Sequence, residues 1–280
     1  MRKNTFNIIR LAAYMVFLYA PLAQAQTSIE TPLLFDPHLL NELSDSSEIR
    51  QIRFLTESDY PPFQFMRSDG VLAGFNIDLA RAICAQIRAS CTIQAWRWDK
   101  LNEALANGAG DAIIASQKPT DATRVSQIFS APYYLTPARF ATLKSSTLTV
   151  DTPQALKGKT IGVVAHSAHE AYLQQAFPAA ISTGFASLAE AQQALLASQI
   201  DAIFADGPSL AIWLAAGQAE CCTLRGEAFY DSYFFGEGAR IALRPDDTGL
   251  RAAINAALKK LDADGTLAEL TGKYFPVNFY

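Results

Sequence analysis

Strand-like runs and helical patterns alternate over the first half of the chain. Residues 52–56, 91–95 and 111–115 are short segments of the kind that forms strands, and the last of them is almost wholly apolar. Between them, apolar residues recur at helical spacing over Phe75–Ile87 and over Leu101–Ala106, as expected of helices that bury one face. This order of strand, helix, strand, helix, strand predicts a parallel sheet covered by helices.

The same order starts again at Thr160–Val164. Helical patterns follow over residues 167–175 and 188–197, and residues 201–205 form another apolar strand-like run. Residues 250–274 are helical in pattern, with a break at an Asp-Ala-Asp-Gly sequence. The spacing therefore predicts two consecutive α/β units and a helical C-terminal segment.

The two units share a short sequence, Asp-Ala-Ile, at 111–113 and at 201–203. This match suggests that the units have like architecture. In open α/β sheets, ligands bind beyond the carboxyl ends of the strands. We therefore expect a binding site at the loops that follow the predicted strands, which are 57–63, 116–124, 165–169 and 206–209.

The N-terminus has the composition of a secretory signal peptide. Three basic residues within the first ten precede a nearly wholly apolar segment at 11–22, and an Ala-Gln-Ala sequence ends at Ala25. These are the three parts of a signal peptide, and the apolar run is shorter than the roughly 20 residues that a spanning helix needs. We expect cleavage after Ala25, followed by a polar leader at 26–49.

Charge and length narrow the function classes. Loss of the signal peptide removes three of the 23 basic residues, so that 20 remain against 27 acidic ones and the net charge becomes −7. Such a chain is a poor partner for nucleic acid or for anionic membrane surfaces. No later segment is long and apolar enough to span a bilayer, and the remaining length suits two medium-sized domains.

The four cysteines lie in two pairs, Cys84 with Cys91 and Cys221 with Cys222. Cysteines in exported proteins tend to be paired. Cys84 lies at the end of a predicted helix and Cys91 at the start of the next strand, so we expect a short disulfide between them. For the adjacent pair, a vicinal disulfide and two buried thiols both stay open, because sequence alone does not fix connectivity.

Six segments together resemble family 3 of the extracellular solute-binding proteins, which includes the lysine/arginine/ornithine-binding and histidine-binding periplasmic proteins. The resemblance covers about residues 52–278 and is carried in order by TESDYPPF, GFNIDLA, DAIIAS, LKGKTIGV, FGEG and DGT, which begin at residues 56, 74, 111, 156, 235 and 264.

This resemblance implies a type II periplasmic-binding-protein-like fold with two parallel-sheet lobes. Lobe 1 would comprise residues 50–137 and 233–280, lobe 2 residues 138–232, and two hinge strands would join them. A small amino acid or amino-acid derivative would bind between lobes that close around it. The chain would then be a monomeric periplasmic component of an ABC importer that hands its ligand to a membrane permease, with no cofactor and no enzymatic activity.

The resemblance assigns two charged residues to the ligand's zwitterion. Arg124 corresponds to the family's carboxylate-binding arginine, and a guanidinium suits that task because it donates two parallel hydrogen bonds. The loop before it is one residue longer than in the lysine/arginine/ornithine-binding pattern. Asp206 corresponds to the aspartate that binds the ligand's ammonium group. Alternatively, Arg124 is a surface residue and Asp206 only caps a turn.

Five further residues complete the predicted site. Ser116 and Ser167 would offer hydroxyl or amide donors to the carboxylate, although both also suit turn and helix-capping positions. Tyr60 and Trp98 would enclose the ligand's side chain between flat aromatic faces. We expect His169 to line the cleft and offer a neutral hydrogen bond.

Two charged residues point to different ligands. Glu57 lies where binders of basic amino acids have an acidic residue for the ligand's distal amine. Lys118 lies where a small residue is more usual, and inside the cleft it would favour a ligand with an extra acidic group, such as an opine. The sequence leaves open which of the two faces the ligand.

Other functions are weaker on the sequence. The arrangement His-x-x-His-Glu at 166–170 has neither the spacing nor a third ligand expected of a metal site, and no phosphate-binding loop or nucleophile motif is present. The alternative enzyme is a dehydratase of the cyclohexadienyl type on the same scaffold, using Glu57 or Glu170 as its acid. A third alternative is a sensory or partner-docking module that uses the fold without transport.

Overall fold

The computed structural model of the chain describes residues 49–217 and 219–280. The predicted signal peptide, the leader apart from Ile49, and Gln218 lie outside the described residues. Within the described residues, no helix is long and apolar enough to cross a membrane.

The described residues form thirteen strands. Their bounds are β1 (Gln51–Thr56), β2 (Asp59–Tyr60), β3 (Gln64–Met66), β4 (Leu72–Ala73), β5 (Ser90–Ala95), β6 (Ala112–Ile113), β7 (Ile128–Tyr134), β8 (Ala138–Leu143), β9 (Thr160–Val164), β10 (Ile181–Phe185), β11 (Ala202–Asp206), β12 (Cys222–Phe229) and β13 (Ala239–Leu243).

Nine α-helices accompany these strands in the described part of the chain. They are α1 (Phe75–Ile87), α2 (Leu101–Ala106), α3 (Asp121–Arg124), α4 (Ala168–Ala176), α5 (Leu188–Leu196), α6 (Gly207–Ala215), α7 (Ser232–Phe235), α8 (Thr248–Ala263) and α9 (Thr266–Tyr274).

The strands form two five-stranded sheets and one small sheet. The first sheet has the order β5-β1-β6-β13-β7, the second has the order β10-β9-β11-β8-β12, and β2, β3 and β4 form the third. In the first sheet, β1 is parallel to β5 and β6, whereas β13 is antiparallel to β6 and β7. In the second, β9 is parallel to β10 and β11, whereas β8 is antiparallel to β11 and β12.

Both large sheets are therefore mixed, each with three parallel strands and two strands that run antiparallel to their neighbours. The parallel parts are the strands that alternate with helices along the sequence, as the pattern predicted. The antiparallel strands border two segments that we call the crossing segments. The first crossing segment, residues 135–137, runs from β7 to β8, and the second, residues 230–238, runs from β12 to β13.

Helices cover both faces of each large sheet, which explains why the central strands are nearly continuous apolar runs. In β1, Ile52 and Phe54 pack into the core beneath α1 and α8, whereas Leu55 points to the opposite face and packs with Leu101 and Leu105 of α2. This alternation is the period-two geometry of a strand. The second sheet likewise packs against α4 on one face and against α5 and α6 on the other.

Glycine permits the close approach between the third sheet and α1. Gly74, immediately before α1, has a φ of 125°, a value that side chains other than hydrogen disfavour. A Cβ atom there would collide with the backbone carbonyl of Phe63. The N–H groups of Phe75 and Asn76 donate to the carbonyls of Pro62 and Phe63, which fixes the 57–63 loop against the start of the helix.

The cysteines behave differently in the two parts of the chain. Cys84 at the end of α1 and Cys91 in β5 form a disulfide, with a Cα–Cα distance of 6.0 Å. Cys221 is an exposed free thiol and Cys222 a buried one, and their sulfur atoms lie 3.3 Å apart. Burial raises the pKa of the Cys222 thiol to about 12, so this sulfur is a poor nucleophile.

Candidate ligand-binding site

A cavity of about 420 Å³ lies between the two large sheets, beside the crossing segments. Its size falls within the roughly 300–1,000 Å³ typical of small-molecule sites. It receives residues from the carboxyl ends of β6 and β11, where the predicted loops are. Its lining is Tyr60, Pro61, Phe63, Ser116, Lys118, Tyr134, Thr136, Asp206, Pro208, Ser209 and Ile212.

Asp206 contributes an anion from the second sheet. It is the last residue of β11 and the N-cap of α6, and its Oδ1 accepts hydrogen bonds from the N–H of Ser209 at 3.0 Å and from the Ser209 hydroxyl at 2.7 Å. Gly207 follows it because a Cβ atom there would lie 2.9 Å from the carbonyl oxygen of Pro137. The Asp206 carboxylate is therefore fixed in place, and it retains lone pairs for a ligand.

Lys118 contributes a cation from the first sheet, and its side chain lines the cavity. Its Nζ donates to Thr136 Oγ1 at 2.7 Å and to the carbonyl oxygen of Phe235 at 3.1 Å, so it contacts both crossing segments. Burial lowers the pKa of Lys118, while the charge of Asp206 acts in the opposite direction. An ammonium group has three donors, of which two are used in these contacts.

The aromatic wall of the cavity comes from the loop after β1. The rings of Tyr60 and Phe63 stack at 5.0 Å with 13° between their planes, and Phe63 stacks in turn on Tyr134. Tyr60 keeps 48% of its surface exposed, so one face is available to a ligand. Burial raises the pKa of Tyr60, and the charges of Asp206 and Glu57 add to this effect.

A chain of polar side chains runs behind this wall and holds Ser116. The Gln64 amide donates to Glu57 Oε1 at 3.1 Å and accepts from the Asn76 amide, which also donates to Ser116 Oγ at 2.9 Å. The Ser116 N–H donates to the Tyr133 hydroxyl. Because Ser116 Oγ accepts from Asn76, its own proton is directed elsewhere and is suited to an acceptor in the cavity.

Ser167 and His169 lie at the start of α4. Ser167 is the N-cap, with its hydroxyl accepting from the N–H of Glu170 at 3.2 Å. The His169 ring stacks on Phe235 at 5.1 Å. Burial lowers the pKa of His169 below its ordinary value of 6.5. The charge of Asp206 opposes this shift and the charge of Lys118 adds to it, so His169 interacts electrostatically with two residues of the cavity.

Arg124 and Trp98 are not among the residues that line the cavity. Arg124, at the end of α3, donates from Nη2 to Glu237 Oε2 at 2.6 Å, and the same oxygen lies 3.4 Å from Arg240 Nη2. The Arg124 side chain is 45% exposed. Trp98 begins a 3₁₀ turn after β5 and is 55% exposed.

The structure thus brings four of the sequence-derived candidates into one cavity, namely Tyr60, Ser116, Lys118 and Asp206. Thr136 and Ser209 also line the cavity. Neither was named as a site residue from the sequence, although Ser209 ends the predicted loop 206–209. The position of Ser209 could have been inferred from the sequence, since Asp-Gly-Pro-Ser after a strand is a helix-capping pattern that places this serine beside Asp206. The position of Thr136 could not, because only the path of the first crossing segment brings it to Lys118.

Comparison with known proteins identifies the family. A model of the bacterial extracellular solute-binding proteins, family 3, matches residues 52–277. The chain belongs to this family. The match extends over the two large sheets and their helices, and it confirms the resemblance seen in the six sequence segments.

Relatives of this solute-binding protein are known at about one-third identity. The chain is 34% identical to the L-arginine-binding protein of Pseudomonas aeruginosa, over 82% of this chain and 90% of the relative. It is 33% identical to the lysine/arginine/ornithine-binding periplasmic protein of Escherichia coli K12, over 82% and 89%.

A solved structure confirms the fold of this solute-binding protein. The second substrate-binding domain of a putative amino acid ABC transporter from Streptococcus pneumoniae has a TM-score of 0.70 and 25% identity, covering 80% of this chain and 99% of that domain. The fold is that of the type II periplasmic binding proteins, as the sequence resemblance implied.

Proposed function

We propose that this solute-binding protein captures an amino acid or amino-acid derivative in the periplasm and passes it to the membrane permease of an ABC importer. The observation that carries the proposal is the cavity between the two large sheets, into which Asp206 brings an anion from one sheet, while Ser116 brings a hydroxyl donor and Lys118 a cation from the other. An α-amino acid carries an ammonium group for the anion and a carboxylate for the donors, both attached to its α-carbon. The names of the relatives, which are amino-acid-binding proteins, support the same class.

In the proposed binding mode, the ligand's ammonium group binds Asp206. The α-carboxylate accepts hydrogen bonds from the Ser116 hydroxyl and from the guanidinium of Arg124. Ser167 contacts it from the side of the second sheet. Arg124 must first leave Glu237. Breaking the Arg124–Glu237 ion pair costs little, because a half-exposed ion pair contributes at most about 1 kcal/mol to the stability of the fold. Glu237 keeps Arg240 as a partner.

The ligand's side chain would lie along the exposed face of Tyr60, with Trp98, Glu57 and His169 as outer contacts. His169 would act as a neutral hydrogen-bonding group, because burial keeps its pKa low. Lobe 1, residues 50–137 and 233–280, and lobe 2, residues 138–232, would then close about the crossing segments. A ligand that contacts both lobes favours closure, since only differential affinity shifts a conformational equilibrium.

The protein is proposed to act as a monomer and to carry out no chemistry of its own. The dehydratase and the sensory module are not favoured, because the relatives are named as amino-acid-binding proteins and not as enzymes or sensors. Incubation with prephenate tests the enzyme alternative directly, and formation of product above background would reinstate it.

The first experiment is a thermal-shift panel on protein from which bound ligand has been removed by unfolding and refolding. Amino acids of each charge class, opines and dicarboxylates without an amino group are tested. A true ligand at a hundredfold excess over its Kd stabilises the folded state by about 2.7 kcal/mol. A rise in Tm with amino acids or their derivatives supports the proposal, whereas an unchanged Tm with every compound in the panel contradicts it.

A pair of variants tests the exchange at Arg124. Arg124→Ala should abolish binding of any amino acid that raises the Tm of the wild type, because the substitution removes the bidentate partner of the ligand's carboxylate. Glu237→Gln is the matched control: it removes the competing carboxylate and should leave affinity equal or higher. If Arg124→Ala binds like the wild type, the carboxylate site has been assigned to the wrong residue.

A further inference from the structure

The cation that lines the cavity is not the arginine expected from the family. Among the described residues of the cavity wall, Lys118 is the positively charged one and Asp206 the negatively charged one. Arg124 lies outside the wall and pairs with Glu237. If Arg124 takes the α-carboxylate, the Lys118 ammonium is a second, separate positive charge for the ligand to match.

Lys118 is held as a fixed charge rather than as a flexible surface lysine. Its ammonium is anchored by Thr136 Oγ1 at 2.7 Å and by the Phe235 carbonyl at 3.1 Å, one from each crossing segment. Both partners are neutral oxygen atoms, so neither cancels the charge. The remaining donor of the ammonium group is available to a ligand acceptor.

The carboxylate that would suit a cationic ligand is less accessible. Glu57 does not line the cavity. Its Oε1 accepts from the Gln64 amide at 3.1 Å, and its Oε2 lies 3.4 Å from the backbone N–H of Asp59. Gln64 is itself fully buried, so the polar chain holds Glu57 to one side of the wall.

We propose that Lys118 binds a second carboxylate on the ligand, so that the pocket prefers amino acids with an additional acid group over neutral and basic ones. This inference rests on the proposed function and names the substrate class of the same site. Acidic amino acids and opine-type N-carboxyalkyl amino acids fit this description. A ligand guanidinium or ammonium at the same point would face Lys118 and be repelled.

The test uses two ligand pairs in which one member has the additional acid. L-glutamate is compared with L-glutamine, and N-(1-carboxyethyl)-L-arginine with L-arginine, by calorimetric titration of the refolded protein. In at least one pair, the acidic member should bind tenfold or more tightly than its partner, which is the scale of one close charge pair.

Two variants assign this preference to Lys118. Lys118→Met removes the ammonium group but keeps an unbranched side chain of nearly the same length, and it should abolish the difference within the pair. Lys118→Arg keeps the charge and should retain the difference. Circular dichroism and the Tm of the ligand-free variants establish that both fold. The inference is overturned if, in both pairs, the neutral or basic member binds the wild type at least as tightly as the acidic member, or if the preference survives in Lys118→Met.

Three further outcomes show how this inference and the proposed function can succeed or fail separately or together. If only amino acids without an extra acid bind, the proposed function stands and the role of Lys118 is wrong. If Lys118→Met loses every amino acid while Arg124→Ala loses none, Lys118 binds the α-carboxylate itself, and the second-carboxylate inference is wrong. If no amino acid or derivative in the broader panel binds, the proposed function fails and this inference with it.

Discussion

The two large sheets use the same sequence, Asp-Ala-Ile, in the same structural position. Asp111 precedes β6 and accepts a hydrogen bond from the N–H of Arg53 in β1 at 2.8 Å. Asp201 precedes β11 and accepts one from the N–H of Thr160 in β9 at 2.8 Å. Each aspartate therefore ties the start of its sheet's middle strand to the neighbouring parallel strand.

The two positions differ in their cations. Arg53 donates to both oxygens of Asp111, at 3.1 and 2.7 Å, and Arg244 lies 3.6 Å away. The nearby cation at Asp201 is Lys159, at 3.5 Å. The hydrogen bonds and charges of Arg53 lower the pKa of Asp111 although burial alone would raise it. The aspartate before the middle strand therefore makes more hydrogen bonds and ion pairs in the first sheet than in the second.

The strands also deliver opposite charges to the ligand cavity. The loop after β6 supplies Ser116 and Lys118, whereas Asp206 ends β11 and Ser209 lies in the first turn of α6. The repeated strand determines where a side chain emerges, while the residues after it determine the chemistry. Ligand specificity can therefore differ between proteins that have the same two sheets.

The largest effect is expected from Asp206→Asn, which removes the anion of the second sheet but keeps a helix-capping side chain. We expect amino-acid binding to weaken at least thirtyfold, because the loss of one partner of a desolvated charge pair costs about 2 kcal/mol or more. Calorimetric titration measures this. Asp264→Asn is the matched control, since Asp264 also accepts from a backbone N–H and a hydroxyl, both of Thr266. Equal affinities in the two variants would contradict the role of Asp206.

The next effect concerns the disulfide, which belongs to the first sheet and its helix. Replacement of both Cys84 and Cys91 by Ser should lower the free energy of unfolding by about 2–3 kcal/mol, from the chain-entropy estimate for so short a loop. Denaturant unfolding measures the change. Cys221→Ser, at an exposed free thiol immediately before β12, should change the free energy of unfolding little, and a similar loss in that control would contradict the comparison.

A smaller difference should separate the two equivalent aspartates. Asp111→Asn should destabilise more than Asp201→Asn by about 1 kcal/mol, the scale of one additional hydrogen bond. Urea unfolding of the two variants gives this difference directly. If Asp201→Asn costs as much or more, the additional hydrogen bonds and ion pairs of Asp111 are not reflected in stability.

The smallest effect is a pH dependence at His169. Burial lowers its pKa in the folded protein, so the unfolded chain binds more protons below about pH 6.5. The free energy of unfolding should therefore fall as the pH falls through that value. His169→Phe should remove this part of the dependence, whereas His166→Asn, at an exposed position, should preserve it. Unfolding curves between pH 8 and 5 would distinguish the two variants.

Much of the parallel framework could be predicted from the sequence. The bounds of α1, α2 and β9 agree with their apolar patterns because each buries a well-defined face. The break in the C-terminal helical segment also falls where predicted, with Gly265 at a φ of 85° between α8 and α9. The local pattern of apolar residues is enough to predict the bounds of a helix or strand that packs on a single sheet.

The elements that depend on partners distant in sequence were not predicted. β10 and β12 have mixed composition, and their pairing with β9 and β8 decides their conformation. The same holds in the site. Asp206 and Ser116 follow recognisable strands, but the contact of Lys118 with Thr136 and Phe235 joins residues 18 and 117 positions apart.

The polar chain from Glu57 to Ser116 has a consequence for the kinetics of ligand capture. Gln64 and Asn76 are fully buried and already hydrogen-bonded, so the Ser116 hydroxyl is oriented before a ligand arrives. Little side-chain entropy then remains to be lost on contact. In the proposed binding mode, the rate of ligand capture would then be limited by diffusion and by lobe closure rather than by ordering of the Ser116 side chain.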